Sequence, residues 1–542
     1  MKEKGSAVWA LMRVPDVLLA ALLGFSLLSM AVSGPYLEFP DAALSLRRAL
    51  VPALCWLAAL VLAAQGMQRF SESAPARFFR HPASVLLFFA ALFALQALLA
   101  WCLQSNCGWD PQTLLTQADS LVRGEPYDGV YFHQYPNNRF LLSFFRFLFT
   151  AVNLLGSTQY LYAAILCGIA AVDLALLFLF GTVRRLWGMR AGWLALLMGA
   201  PLAGLSPWIA VPYSDTYGMP FPIGCIYCYV CMRTGQTRRV RLLAAGGFAF
   251  LLAAGARVKP NVLVVAVAVG IGEALRFFRA RTSAKGMLRA AACFALGAVL
   301  AVGVTGAVQR KATGDMLDPA RVADEKLGMA HYFMLGLAQP HGNYHYEDME
   351  YTMSFRGSAA KTQANLAEAG RRIRAMGPGG YLAFLGRKLN FCWNDGTFYF
   401  GHEGEFYRGD PPVQTPAARA VQSLYRADGA HYGVLAVWQQ AQWLLCLGLV
   451  LAGAFTARRT RCWEYPWLAR LCVLGLMLFL LLFEARARYV YHFLPVLCLA
   501  AMGGLLPLAA GRAGKQQAAC APPARHAKKG TENAPVYTDD RF

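Results

Sequence analysis

Long apolar stretches separated by short basic or polar intervals fill most of this chain. Blocks at 9–33, 49–66, 84–104, 160–181, 190–209, 219–232, 240–256, 261–276, 291–308, 434–454, 466–483 and 489–509 each read as a crossing of about 30 Å of hydrocarbon. The pattern predicts an all-α polytopic membrane protein of about 12 transmembrane helices. The intervals fix an orientation. With the N-terminus inside, Arg69 to Arg80, Arg184 to Arg190, Arg233 to Arg239, Arg276 to Arg289, Arg458 to Arg461 and the Lys-rich tail all fall on the cytoplasmic side. That agreement requires 139–155, RFLLSFFRFLFTAVNLL, not to cross; its Arg139 and Arg146 make it an interfacial helix.

Three polar regions then face outward: 105–138, the turn at 212–220, and 309–433, which is too long for an idle loop. The last contains RRIRAMGPGGYLAFLGRKLNFCW, where the Gly-Pro-Gly break and basic flanks make 376–393 interfacial or re-entrant. The chain divides into N-terminal membrane helices at 1–83, a membrane core with the first outer loop at 84–308, the large loop at 309–433, C-terminal membrane helices at 434–510 and a disordered cytoplasmic tail at 511–542.

Composition changes the picture only by naming partners. Hydrophobic residues make up 57% and charged residues 15%, and 51 Lys and Arg against 30 Asp and Glu give a net charge of +21. In a membrane chain this excess belongs to cytoplasmic loops and anionic headgroups, so the partner is the lipid bilayer and not nucleic acid. Cys225, Cys228 and Cys231 lack histidine or acidic partners and read as packing, while Cys102 and Cys107 are close enough to pair.

Candidate chemistry gathers at the outer ends of the blocks. In WDPQTLLTQAD, Asp110 precedes Pro111 as a helix N-cap would, and Asp119 lies 2.5 turns on, off its face. YDGVYFHQYPNN supplies Tyr127, Asp128, His133, Tyr135, Asn137 and Asn138, and VPYSDTYG supplies Asp215, an acid expensive at that depth unless solvated or paired. Cations stand nearby against the inside bias: Arg257 and Lys259 in ARVKPN, and Arg486 and Arg488 with Glu484, Tyr489 and His492 in FEARARYVYHFLP. They read either as headgroup anchors or as a clamp on a membrane-borne phosphate. On a helix Arg486 and Arg488 would diverge by roughly 200°, so the segment is partly extended or only one points inward. NFCWNDGTFYFG adds Asp395 among aromatics that can stack on a sugar, or alternatively a local turn.

These pieces, WDPQTLLTQADSLVRG, YPNN before a juxtamembrane helix, PYSDT, GTVRRLWG and ARARYVYHFLP, resemble the GT-C superfamily of integral-membrane glycosyltransferases, especially the bacterial relatives of protein mannosyltransferases and aminoarabinose transferases. The resemblance implies a GT-C-like fold in the bacterial cytoplasmic membrane, a catalytic aspartate on the first outer loop and a polyprenyl-phosphate sugar as donor. It points to Asp110 and Asp215 as catalytic. Tyr135, Asn137, Asn138, Arg257, Lys259, Asp395, Glu484, Arg486, Arg488 and Tyr489 would bind substrate. The acceptor would be an envelope glycan, glycolipid or protein. Where the family often reads Asp-Glu, this chain has Asp110-Pro111, and Gln134-Tyr135 replaces a common lysine. A divalent cation stays open because Asp110, Asp215, His341, His345, Glu347 and Asp348 all map outside, although no spacing among them is a zinc motif. The competing expectation is a polytopic transporter or lipid-linked glycan flippase.

Overall fold

The computed structural model describes residues 2–33, 45–69, 74–125, 129–277, 284–314, 317–403, 411–456 and 462–510, and among them every regular element is helical. The expected disordered tail, Tyr127 and Asp128 lie outside the described residues. Among the described residues eight helices are long and apolar enough to cross a bilayer: Ala10–Val32, Leu46–Arg69, Pro82–Leu103, Tyr160–Trp187, Arg238–Val258, Ala291–Thr313, Tyr432–Thr456 and Glu464–Leu482. The other four apolar blocks are helical but short or broken. Met189–Gly199 runs into a π turn at Ala200–Gly204 that contains Pro201, and a 3-10 turn, Pro207–Ala210, follows. Pro220–Thr234 and Leu263–Phe277 have 15 residues each, and Leu494–Ala509 has 16. Such lengths give about 22–24 Å of helix, short of about 30 Å of hydrocarbon. Proline within or beside these blocks removes backbone donors and divides what composition alone reads as continuous.

Burial separates centre from periphery. The apolar windows of Tyr432–Thr456 and Glu464–Leu482 are 72% buried, against 17% for Leu46–Arg69 and Ala291–Thr313. The first pair forms the centre with the buried helix Leu494–Ala509, and the outer helices present apolar side chains as lipid requires. Two crossings are close enough to need glycine. A Cβ on Gly297 would strike the backbone of Gly246, and one on Gly504 would strike the carbonyl of Leu449 beside Gly453.

The first span is tied into this centre. Asp16 pairs with Arg470 at 2.7 Å, and Trp467 Nε1 donates to the Met12 carbonyl at 2.9 Å. Ser26 bonds Asn394, and Asn390 Nδ2 donates to Ser29 Oγ at 2.5 Å. The 139–155 segment forms a 16-residue helix, Arg139–Leu154, with Leu141, Leu142, Phe145 and Phe149 buried along one side. Arg139 donates to Thr313 Oγ1 at 3.0 Å and to the Gly314 carbonyl at 2.8 Å, and Arg146 to the Ala312 carbonyl. Both cations therefore satisfy the end of the Ala284–Thr313 helix. Within Ser358–Trp393 the expected break is present: Gly377 has φ 62° and ψ 174°, so two helical stretches meet there. Cys102 and Cys107 are buried free thiols.

Candidate active site

Several inter-helix segments converge at one end of the bundle. The chain leaves Pro82–Leu103 and enters the Trp109–Arg123 helix through Gly108 and Trp109, whose φ values are 28° and 42°. A tryptophan in this left-handed region is strained, and such strain concentrates where a side chain must be aimed. The cap position falls on Gly108, not on Asp110 as the Asp-Pro pair suggests. Asp110 sits inside the first turn, half-buried, where it accepts a hydrogen bond from Tyr213 Oη at 2.8 Å. Among the described residues it has no ion-pair partner. Asn138 Nδ2 donates to Tyr131 Oη at 2.6 Å and lies 3.5 Å from Tyr213 Oη. Burial, and then the charge of Asp110, push both Tyr131 and Tyr213 well above the ordinary phenol range, so both remain hydroxyl donors.

Beside this acid lies a buried charge cluster. Asp215, in the short helix Ser214–Gly218, pairs through Oδ1 with Lys259 and through Oδ2 with Arg488 NH1 at 3.0 Å. Burial would raise its carboxyl, but Lys259 and then Arg488 outweigh it and hold the group below the usual range. Lys259 is the cation that yields. Burial lowers its ammonium, Asp215 only partly restores it and Arg488 lowers it again, to about 8. One carboxylate cannot cancel two cations, and a guanidinium does not give up its proton.

Arg488 also lies 2.8 Å through Nε from Glu403 Oε1, and Arg486 reaches the same carboxylate oxygen through NH1. Arg486 Nε is 2.9 Å from Glu484 Oε1, and Tyr489 Oη donates to Glu484 Oε2 at 3.2 Å. Aromatic faces close the cluster: Arg488 stands 4.2 Å from the Trp109 ring centre and 5.2 Å from Tyr213, and Lys259 Nζ 4.3 Å from Tyr489. Residues 484–486 are not helical, which is how two arginines so close in sequence both reach Glu403. His492 faces Asn261 Oδ1 at 2.8 Å through Nε2.

Asp110, Asn138, Asp215, Lys259, Glu484, Arg486, Arg488 and Tyr489 thus come together, and Tyr135 borders them with its hydroxyl 3.7 Å from Met349 Sδ. Two expected members are engaged elsewhere, and Asn137 only borders the cluster through Asn138. Arg257 donates to Gln309 Oε1 at 3.0 Å, Asn137 is exposed and bonds Asn138 Oδ1 at 3.2 Å, and Asp395 is a turn cap. Its Oδ1 accepts from Thr397 N at 2.6 Å and its Oδ2 from Tyr399 N at 2.6 Å, the local turn left open by the sequence. Asp119 pairs with Arg123 on an exposed face. Sequence reasoning missed Glu403, Trp109 and Tyr213 as members. The last two stand inside quoted motifs, and nothing in the sequence sets Glu403 apart from the other acids of the 309–433 loop.

A metal finds little purchase on these residues. Among the described residues no group of three or more His, Cys, Asp or Glu converges. Asp215 is taken by two cations, His341 stacks on Phe391 at 4.0 Å, and His345 pairs with Glu347 at 3.2 Å.

Residues 12–504 match the family described as conserved hypothetical integral membrane protein. The chain belongs to that family. The match takes in the first two spans as well as every residue of the cluster. Comparison with curated proteins finds no match. Among solved structures, ArnT from Cupriavidus metallidurans bound to undecaprenyl phosphate is similar over 78% of each chain, at 13% identity and a TM-score of 0.29. A likeness of that size leaves the site to be read from its own side chains.

Proposed function

We propose that the chain is a glycosyltransferase that moves a sugar from a polyprenyl-phosphate donor to an acceptor hydroxyl at the outer face of the bacterial cytoplasmic membrane, with inversion at C1. The observation that carries this reading is a half-buried carboxylate, Asp110, held by a neutral tyrosine and lacking an ion-pair partner among the described residues, beside two buried cations, Lys259 and Arg488, and the half-buried Arg486. A carboxylate with no cation of its own, beside guanidiniums and an ammonium that can turn to a ligand, suits a reaction in which one oxygen loses a proton while another gains negative charge.

In this reading Tyr213 fixes one oxygen of Asp110, and the other takes the proton of the acceptor hydroxyl. The acceptor oxygen attacks C1 of the sugar, the bond from C1 to the phosphate oxygen breaks, and the lipid phosphate leaves as an anion toward Arg486, Arg488 and Lys259. Bidentate guanidinium contacts supply direction as well as charge. Asp215 positions Lys259 and Arg488. In this reading the four short or broken apolar blocks complete their crossings with the non-helical residues beside them, which makes twelve crossings with the eight long helices, and the basic intervals lie in the cytoplasm.

The test is release of free lipid phosphate from a synthetic polyprenyl-phosphate sugar supplied to right-side-out vesicles with envelope glycans, glycolipids or proteins as acceptors. Turnover without permeabilisation is expected, with the opposite anomer in the product. Donor carried across the bilayer intact, with no sugar transfer, would replace this reading with the transport one.

A further inference from the structure

The cations beside Asp110 are already neutralised from within. Lys259, Arg486 and Arg488 are matched by Asp215, Glu403 and Glu484, so an entering phosphate would meet no net positive charge. A buried anion is stable only where opposite charge receives it, so binding requires that one carboxylate give way.

The three carboxylates are not held alike. Asp215 is fixed in a helical turn between Lys259 and Arg488, and Glu484 accepts from both Arg486 and the Tyr489 hydroxyl. These two steady the cations from their own segments. Glu403 places a single oxygen, Oε1, against both guanidiniums, Arg486 NH1 and Arg488 Nε, the bridging position a phosphate oxygen would take. Its side chain is 2% exposed, and among the described residues the two arginines are its only polar partners. It follows the 3-10 turn Phe400–His402, on a loop entered through Phe398 and Tyr399 at φ 56° and 64°. Two consecutive non-glycine residues in the left-handed region mark a loop held in place against its own preference.

We propose that Glu403 is an internal stand-in for the donor phosphate, seated between Arg486 and Arg488 in the empty protein and displaced when the lipid phosphate binds. This rests on the phosphate-clamp reading above. It means that the site keeps its arginines paired and ordered without a ligand, and that the affinity for lipid phosphate is set below what the cations alone would give.

The experiment titrates farnesyl phosphate, with farnesol as the uncharged control, into the purified full-length protein and its variants. Glu403→Gln should bind farnesyl phosphate about tenfold tighter or better, as expected when a charged competitor that hydrogen-bonds Arg486 and ion-pairs with Arg488 is removed, and bind farnesol unchanged. Glu484→Gln, which strips Arg486 of its orienting partner, should not tighten binding. If Glu403→Gln binds equally or more weakly while Arg488→Gln also weakens binding, Glu403 only orients the arginines and the clamp reading stands without a stand-in. Equal tightening by Glu484→Gln would overturn the stand-in in favour of a general charge effect. If no protein distinguishes farnesyl phosphate from farnesol, the clamp reading falls and the stand-in with it. Should Glu403→Gln fail to fold, Glu403→Asp keeps the charge on a shorter arm. It should still tighten binding, and its failure to do so would overturn the proposal.

Discussion

Arg470 and Arg488 are both almost fully buried, and each meets an aspartate from a distant part of the chain. Arg470 faces Asp16 in a two-pronged contact, Nε at 2.7 Å and NH2 at 3.3 Å, between two membrane helices and among apolar side chains. One acid meets one base, and the charge is closed. Arg488 donates to Asp215 through NH1 and lies 2.8 Å through Nε from Glu403, stands over Trp109 and Tyr213, and has Asp110 one tyrosine away. A closed pair inside hydrocarbon can only hold helices together, since any opening exposes an uncompensated charge. A shared cluster at a helix end can exchange partners at little cost and so can receive a ligand. Burial of an arginine therefore does not mark a site; the number and freedom of its partners do.

The largest effect that would break this contrast is at Asp110. Asp110→Asn keeps the size and the acceptor oxygen for Tyr213 but removes basicity, so turnover should fall by roughly 10²–10⁴-fold with assembly and donor binding intact. Near-normal turnover in a folded variant would remove Asp110 from the chemistry and leave the two arginine sites alike. Loss of folding and binding together would make it a structural residue of the Trp109–Arg123 helix.

Next comes the closed pair. Arg470→Met leaves Asp16 buried alone and should cost about 3–5 kcal/mol of stability, whereas Asp16→Leu with Arg470→Met should recover most of that loss. Thermal unfolding in detergent reads the stability, and farnesyl phosphate binding by the folded fraction should not change. A double variant no more stable than Arg470→Met, or one with altered phosphate binding, would show that the pair does more than fasten the first span.

A smaller effect is the pH dependence at Lys259. Its proton affinity in the fold is below that of a free lysine near 10.4, so between about pH 8 and that value the unfolded chain binds more protons than the folded one. Raising the pH across that window should therefore stabilise the fold through this group. Phosphate binding should move the other way and weaken by roughly tenfold as one of three cations is lost. Lys259→Arg should flatten the binding profile. If the dip above pH 8 persists in that variant, another group is titrating.

How much of this was legible in the chain follows from range. Apolar length gave the eight long helices, because crossing hydrocarbon is a local demand on consecutive residues. The Gly377 break and the existence of a helix at Arg139–Leu154 were also local, set by Gly-Pro-Gly and by a mostly apolar segment. Partner choice was not local. Arg257 and Lys259 stand two residues apart with the same charge, yet one meets Gln309 and the other Asp215, because the helix ends at Val258 and Lys259 turns out of its register. Glu403 escaped notice for the same reason: the arginines that define it lie 83 or more residues away.

The smallest expected effect sharpens the contrast within that one hexapeptide. Arg257 is part-buried at the end of the Arg238–Val258 helix, and its hydrogen bond to Gln309 joins that helix to Ala284–Thr313, which already approach closely at Gly246 and Gly297. Removing one such bond between partly exposed groups leaves no buried charge stranded, so Arg257→Gln should change stability and farnesyl phosphate affinity by no more than about 0.5 kcal/mol. Lys259→Met, two residues on, leaves Asp215 with one cation in place of two and should weaken phosphate binding by roughly tenfold. Measured side by side, the two variants ask whether charge at the helix end is enough or whether a place in the Asp215 network is required. Equal losses would mean that the outer cations act together as a diffuse field on the headgroup region, and the distinction between a clamp and lipid anchors would dissolve. A loss confined to Lys259 ties phosphate affinity to the few cations that share carboxylates with one another.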